Sequence, residues 1–285
     1  MVADAVAAAG AELVAVANHR PESRAVFAER FGVGRGHDSV PELLAAGGID
    51  GLIVCTPNAL HAPDAIAALD AGIPVLVEKP MAVTVAEADA MIAAAERAGR
   101  TLQVGQVERF NPALLAAKPY VQRPKFIEAH RMAAFQPRSL DIDVVGDLMI
   151  HDIDAVLHLT GQTPSDLSAV GVAVLSSTED IANARLEFKD GCVANLTASR
   201  VSVERLRRIR FFTANSYVTV DLFEKSGEAF VIKDPNSFKP GKADPLALLS
   251  GIDRTPLRIA AGEQARITRL RLDKWIAGHS ATEGS

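Results

Sequence analysis

The chain has 285 residues, 48% of them hydrophobic and 23% charged, with 30 basic and 35 acidic side chains and a formal net charge of -5. These values exclude a disordered tail, a collagen-like chain and, for want of a basic excess, a nucleic-acid binder. The length suits two domains. No apolar run reaches the roughly 20 residues that span a bilayer. The opening MVADAVAAAGAELVAV has no basic stretch of the secretory type. Its two cysteines, Cys55 and Cys192, make neither a disulfide framework nor a cysteine zinc site. The expectation is a soluble, cytoplasmic, two-domain protein without membrane or nucleic-acid partners.

Met1 to Ala9 is alanine-rich and predicts part of a helix, ended by Gly10. The apolar run Glu12–Ala17 predicts a buried parallel strand. Pro21–Phe31 predicts a helix with proline at its start and Gly32 past its end. Val40–Ala46 is a further short helix, and Gly51–Cys55 a further apolar strand. Asn58–Ala71 predicts a helix stopped by Gly72. Pro74–Val77 then predicts a strand, Val85–Ala98 a helix and Leu102–Val104 a strand. Strand and helix in alternation predict a parallel α/β sheet, whose ligands bind at the carboxyl ends of the strands. Three polar loops fall there: Asn18-His19-Arg20, Thr56-Pro57-Asn58 and Glu78-Lys79-Pro80.

From about Phe126 the strands lengthen and alternate apolar with polar residues, as in Asn183–Phe188, Val193–Ala198, Arg205–Phe212 and Tyr217–Leu222. Asp190-Gly191 is a hairpin signal between two of them. This predicts an antiparallel sheet with one open face. The basic run from Arg205 to Arg210 has strand spacing and reads as a solvated face. The segment 233–262 is Pro-, Gly- and Lys-rich and reads as loop.

One helix, Gly146–Leu159, interrupts the second half, with Gly161 after it. Asp147 and His151 stand four apart, and Asp154 and His158 continue their stripe. Such a stripe in an apolar helix is unfavourable unless it faces water or a ligand. Three readings are open: a catalytic site with His151 as general base, a plain polar face, or a metal chelate. Lys79 follows a strand directly. Beside a cationic cofactor ring its pKa would fall, which would let it share in proton transfer.

Three stretches carry a resemblance: TPNALHAPDAIAALDAGIPVLVEKPMAVTVAEADAMIAAAE, then VGQVERFNP, then DLMIHDID. From about Ala11 to about Leu222 the chain resembles the Gfo/Idh/MocA oxidoreductases. The stretch FIEAHRMAAFQPRSLDIDVVGDLMIHDID is similar to the branch that includes UDP-N-acetylglucosamine 3-dehydrogenases. The resemblance implies an NAD(P)-binding Rossmann-like domain over 1–106 and a substrate-binding α+β domain over 107–285 with an open, mainly antiparallel sheet. It implies hydride transfer from a sugar or sugar-nucleotide hydroxyl to NAD or NADP, and a homo-oligomer formed through the open sheet. Lys79 would lie between nicotinamide and substrate, before an often cis Lys-Pro bond. Asp147 and His151 would be the catalytic acid and histidine. Thr56, Pro57, Asn58, His61, Glu78 and Pro80 would line the cofactor site with the Asn18, His19 and Arg20 loop. Arg131 and Arg138 are expected to contact a diphosphate, because guanidinium forks match phosphate oxygens.

Three departures qualify these expectations. A Rossmann unit places its ribose-reading acid about 20 residues beyond G-x-G-x-x-G, and that count from Asn18 runs off the front of the chain. The first strand and glycine loop are therefore expected to be absent, which leaves the parallel sheet without its central strand. Asn18 replaces the acid and, with Arg20, would tolerate a 2′-phosphate. The end, RITRLRLDKWIAGHSATEGS, lacks a long amphipathic helix, so an incomplete chain is expected over a new function. The alternatives are a non-catalytic ligand-binding or regulatory paralogue, and a metal-dependent lyase or hydrolase using Asp147, His151 and Asp154.

Overall fold

Short apolar strands alternate with helices through the first hundred residues, as the residue pattern predicts. A computed structural model of the chain describes residues 2–8, 10–136, 142–232 and 252–257. Two compact units are present, one ending at Gly105 and one beginning at Gln106.

The first unit runs α1 (Val2–Ala8), β1 (Ala15–Ala17), α2 (Pro21–Phe31), β2 (Arg35–His37), α3 (Val40–Ala46), β3 (Leu52–Val54), α4 (Asn58–Asp70), β4 (Val75–Val77), α5 (Val85–Ala98) and β5 (Leu102–Val104). Local chemistry sets the helix ends. Gly32 closes α2 in the left-handed region at φ 69°. Thr84 and Glu87 form a reciprocal capping box on α5. Val54, Val75, Val77, Leu69 and Met91 form the buried core between strands and helices. Every ladder is parallel. They form two sheets, β1-β2 and β3-β4-β5, with no ladder between β1 and β3. β2 carries no apolar run, and only its pairing with β1 makes Arg35–His37 a strand.

The second unit contains α6 (Pro112–Ala117), β6 (Phe126–Met132), α7 (Ile150–Thr160), β7 (Asp166–Val172), β8 (Ile181–Glu187), β9 (Val193–Ser199), β10 (Leu206–Phe212), β11 (Ser216–Asp221), β12 (Ser226–Ile232) and β13 (Ile252–Leu257). The eight strands lie in the order β13-β12-β11-β10-β6-β9-β8-β7. All neighbours are antiparallel except β6 and β9, which are parallel. The Asp190-Gly191 turn joins β8 to β9, with Gly191 at φ 84°. Ile127, Leu196, Ile209, Phe211, Val218 and Val220 pack in the core shared with α6 and α7. The alternate residues face the other way.

Four expectations change. β7 and β12 lack a clean apolar alternation and were not foreseen. Ile252–Leu257, inside the expected loop 233–262, is β13, an edge strand in which Pro256 is tolerated. The predicted helix from Gly146 begins as a π turn over Val145–Met149 and becomes α-helical at Ile150. The basic run is also not one solvated face. Arg208 reaches Asp221 at 3.4 Å and Arg210 reaches Glu128 at 2.8 Å on the open side. Arg207 alternates with them and points to the helix-covered side. Among the described residues, no helix is long and apolar enough to cross a membrane.

Candidate functional site

In the first unit the chemistry collects where each parallel strand ends. Asn18, His19 and Arg20 follow β1, Thr56 to Asn58 follow β3, and Glu78 to Pro80 follow β4. The Asn18 side-chain oxygen accepts the Arg20 N–H at 2.9 Å, which shapes the first loop and leaves His19 and Arg20 exposed. Thr56 Oγ1 donates to Asp64 at 3.0 Å. Burial raises the Asp64 carboxyl above its ordinary range, opposed by that bond and by His61. Lys79 and Glu78 are half-buried, and the Lys79-Pro80 bond is cis, as the resemblance implied. Gly105 leaves room for the Glu78 carboxylate, which a Cβ there would approach to 3.1 Å.

His61 is placed differently from its expected position on the cofactor crevice. It is only 1% exposed. Its Nδ1 lies 2.8 Å from Pro80 O and its Nε2 lies 2.9 Å from Thr56 O. The ring is thus a clamp between two strand-end loops and does not line a surface. A neutral imidazole carries one N–H, so replacing His61 with leucine deprives one of these carbonyls of its donor. It is expected to lower the unfolding free energy by about 1–3 kcal/mol. Urea unfolding checks this, and an unchanged midpoint would remove the clamp.

In the second unit, Asp147 lies in the π turn and His151 in the first turn of α7, both half-buried. Single-turn π segments recur at functional sites because they re-aim side chains. Asp143 leads into the turn by accepting the Gly146 N–H at 2.8 Å. Two bidentate ion pairs bolt α7 down. Arg131 on β6 donates to both Asp152 oxygens, at 2.9 and 2.8 Å. Arg109, in the turn Val107–Phe110, donates to both Asp154 oxygens, at 2.7 and 2.6 Å. Arg131 also meets Glu108 at 3.4 Å, and Glu108 accepts from Asn111 at 3.0 Å. Burial opposes the Arg131 charge, but Asp152 and Glu108 outweigh it and raise its pKa.

This arrangement corrects several expectations. Arg131 is 1% exposed and is a structural tie with its donors on Asp152 and Glu108, so it does not present a fork to a diphosphate. Arg138 lies outside the described residues. Asp154 is buried on Arg109 and leaves the expected polar stripe, while His158 is exposed. Burial, Lys118 and Arg109 push the His158 pKa down. The set Asp147, His151 and Asp154 therefore does not assemble, and among the described residues no group of three or more His, Cys, Asp or Glu is placed to hold a metal. Glu108, Arg109 and Asp152 were not singled out from the sequence. Their signal was present in the ERFNP and HDID strings, but not the pairing.

Residues 2–106 match the oxidoreductase family with an NAD-binding Rossmann fold, and residues 119–217 match the GFO/IDH/MocA C-terminal domain. The solved UDP-N-acetylglucosamine 3-dehydrogenase GnnA from Acidithiobacillus ferrooxidans aligns at a TM-score of 0.83 and 34% identity, over 98% of this chain and 85% of that one. This chain belongs to the Gfo/Idh/MocA oxidoreductase family. A curated family relative, the UDP-N-acetylglucosamine 3-dehydrogenase of the same organism, is 42% identical over 197 residues, 67% of this chain. The chain spans 61% of that relative's length. A levoglucosan dehydrogenase solved with NADH and levoglucosan has a fold similar to this chain's, at a TM-score of 0.78 and 22% identity, over 94% of this chain and 84% of that one.

Proposed function

We propose that this Gfo/Idh/MocA chain is an NAD(P)-dependent dehydrogenase that oxidises a hydroxyl of a sugar or sugar nucleotide. The observation that carries the reading is the half-buried Asp147 and His151, aligned on a helix locked by the Arg131–Asp152 and Arg109–Asp154 pairs. His151 takes the proton of the reacting hydroxyl at a ring nitrogen. Asp147 orients that hydroxyl and favours the imidazolium that forms. The substrate class follows the relative named UDP-N-acetylglucosamine 3-dehydrogenase.

The first unit's residues fit the nucleoside parts of a dinucleotide. Thr56, Pro57, Asn58, Glu78, Lys79 and Pro80 stand at the carboxyl ends of parallel strands, where such ligands bind. Asn18 is neutral and Arg20 is exposed beside it, so NAD and NADP are both accommodated. Bound NAD(P) supplies the hydride acceptor. The test is fluorescence titration with NADH and NADPH, followed by turnover of UDP-N-acetylglucosamine at 340 nm. Binding with turnover is expected. Binding of neither cofactor would overturn the reading in favour of a non-catalytic ligand-binding role. Among the described residues β1-β2 and β3-β4-β5 share no ladder, and that is the observation that favours this second reading.

We also propose that the open sheet face joins two copies. Phe126, Phe212, Tyr217 and Phe230 form one cross-strand row over β6, β10, β11 and β12, with ring centroids 5.9, 5.0 and 5.7 Å apart. Arg254 on β13 sits 5.8 Å over the Phe230 ring. Aromatic and arginine side chains are favoured at interfaces. Tyr217→Lys is expected to convert a dimer to monomer in light scattering. A wild-type monomer would overturn the proposal.

A further inference from the structure

We propose that Arg207, assisted by Arg205, binds the phosphate oxygens of a nucleotide-linked substrate. The proposal rests on the sugar-nucleotide form of the function above and assigns the diphosphate contact that Arg131 does not make.

Position comes first. In the β10–β6 ladder Arg207 stands directly opposite Arg131. Its alternates Ile209 and Phe211 are buried on the helix-covered side, so Arg207 projects to the side that carries α7. Arg131 is held there by Asp152, the residue after His151. Arg207 is therefore one rung neighbour from the catalytic helix.

Availability separates the two arginines. Arg131 is buried, with its donors on Asp152 and Glu108. The Arg207 side chain is 32% exposed, and its guanidinium lies 3.7 Å from Glu108, past hydrogen-bonding distance. Glu108 is already engaged by Arg131 and Asn111. Arg207 thus keeps donors for a ligand.

Charge points the same way. Burial and the neighbouring Arg131 charge push the Arg207 pKa down, and Arg205 adds to this, with Glu108 and Asp152 opposing. Such a cluster gains from an anion. Arg205 is exposed, and its guanidinium stacks on the Phe223 ring at 3.9 Å. The Leu222 N–H donates to Arg207 O at 2.8 Å and holds that ring's loop against β10. The guanidinium forks of Arg207 on β10 and of Arg205 just before it suit the several oxygens of a diphosphate better than a single carboxylate.

The test is calorimetric titration of the full chain with UDP, uridine and glucuronate, for wild type and for Arg207→Gln. The expected result is UDP affinity weakened on the order of tenfold, as for loss of one charge-assisted contact, with uridine affinity and the urea midpoint unchanged. Arg207→Lys is expected to restore part of the UDP affinity through its charge. Unchanged UDP affinity in Arg207→Gln overturns the assignment. So does an equal loss for uridine, or a wild type that binds UDP no better than uridine. Loss of glucuronate binding alone overturns the phosphate assignment in favour of a carboxylate. The dehydrogenase reading fails separately: absence of NAD(P)H binding with Arg207-dependent UDP binding removes that reading and leaves this site in place.

Discussion

Replacing His151 with alanine is expected to lower kcat by about 10²–10⁴-fold, the usual contribution of a positioned general base, with KM much less affected. The expectation follows from how the helix is held. Asp152 and Asp154 are fixed by Arg131 and Arg109 through four charge-assisted hydrogen bonds between 2.6 and 2.9 Å. α7 therefore cannot roll to bring another group into the place of His151. The neighbouring carboxylates are already paired with arginine and are poor substitutes for a base. Steady-state turnover of UDP-N-acetylglucosamine with NAD or NADP reads the effect. His151→Ala at full turnover would remove His151 from the mechanism. Asp147→Asn is expected to lose less, because it keeps a polar group that can hold the hydroxyl while removing the charge that favours the imidazolium.

The largest effect on stability is expected at Arg131. Arg131→Met leaves the Asp152 carboxylate, itself buried, without its bidentate partner. Breaking one member of a buried pair costs about 3–5 kcal/mol, because the remaining charge is uncompensated. A fall of that order in the urea-unfolding free energy is expected for Arg131→Met and again for Asp152→Ala. The double replacement Arg131→Met with Asp152→Leu is expected to recover part of the loss, since the Asp152 charge is gone while Glu108 loses Arg131 and keeps Asn111, with Arg207 nearby. Additive losses in the double variant would mean that packing around each residue, and not the ion pair, carries the stability. A weakened Arg131–Asp152 tie also frees α7, so the single variants are expected to lose turnover even under conditions where they remain folded.

Much of the fold was legible in the residues. In the first unit the apolar runs and their glycine and proline boundaries placed β3, β4, β5 and helices α2 to α5 within a residue or two, while β1 begins three residues later than the run Glu12–Ala17 predicts. β2 was not legible, because RGH has no strand signal of its own. In the second unit β8 to β11 were readable from alternation and the Asp190-Gly191 turn. β7, β12 and β13 were not, since pairing with an existing sheet, more than intrinsic propensity, makes such segments strands.

The site divides along the same line. The residue order alone singled out Thr56-Pro57-Asn58, Glu78-Lys79-Pro80, Asp147 and His151 as candidate site positions, because local spacing and motif strings are one-dimensional information. The roles of His61, Arg131, Asp154 and Arg207 were decided only in three dimensions. His61, Arg131 and Asp154 each depend on a partner distant in the chain, Pro80, Asp152 and Arg109, whereas Arg207 stands past hydrogen-bonding distance of Glu108. Whether a charged side chain faces a ligand or a counter-ion depends on which strand and helix faces meet, and packing sets that meeting independently of the spacing that identifies the motif.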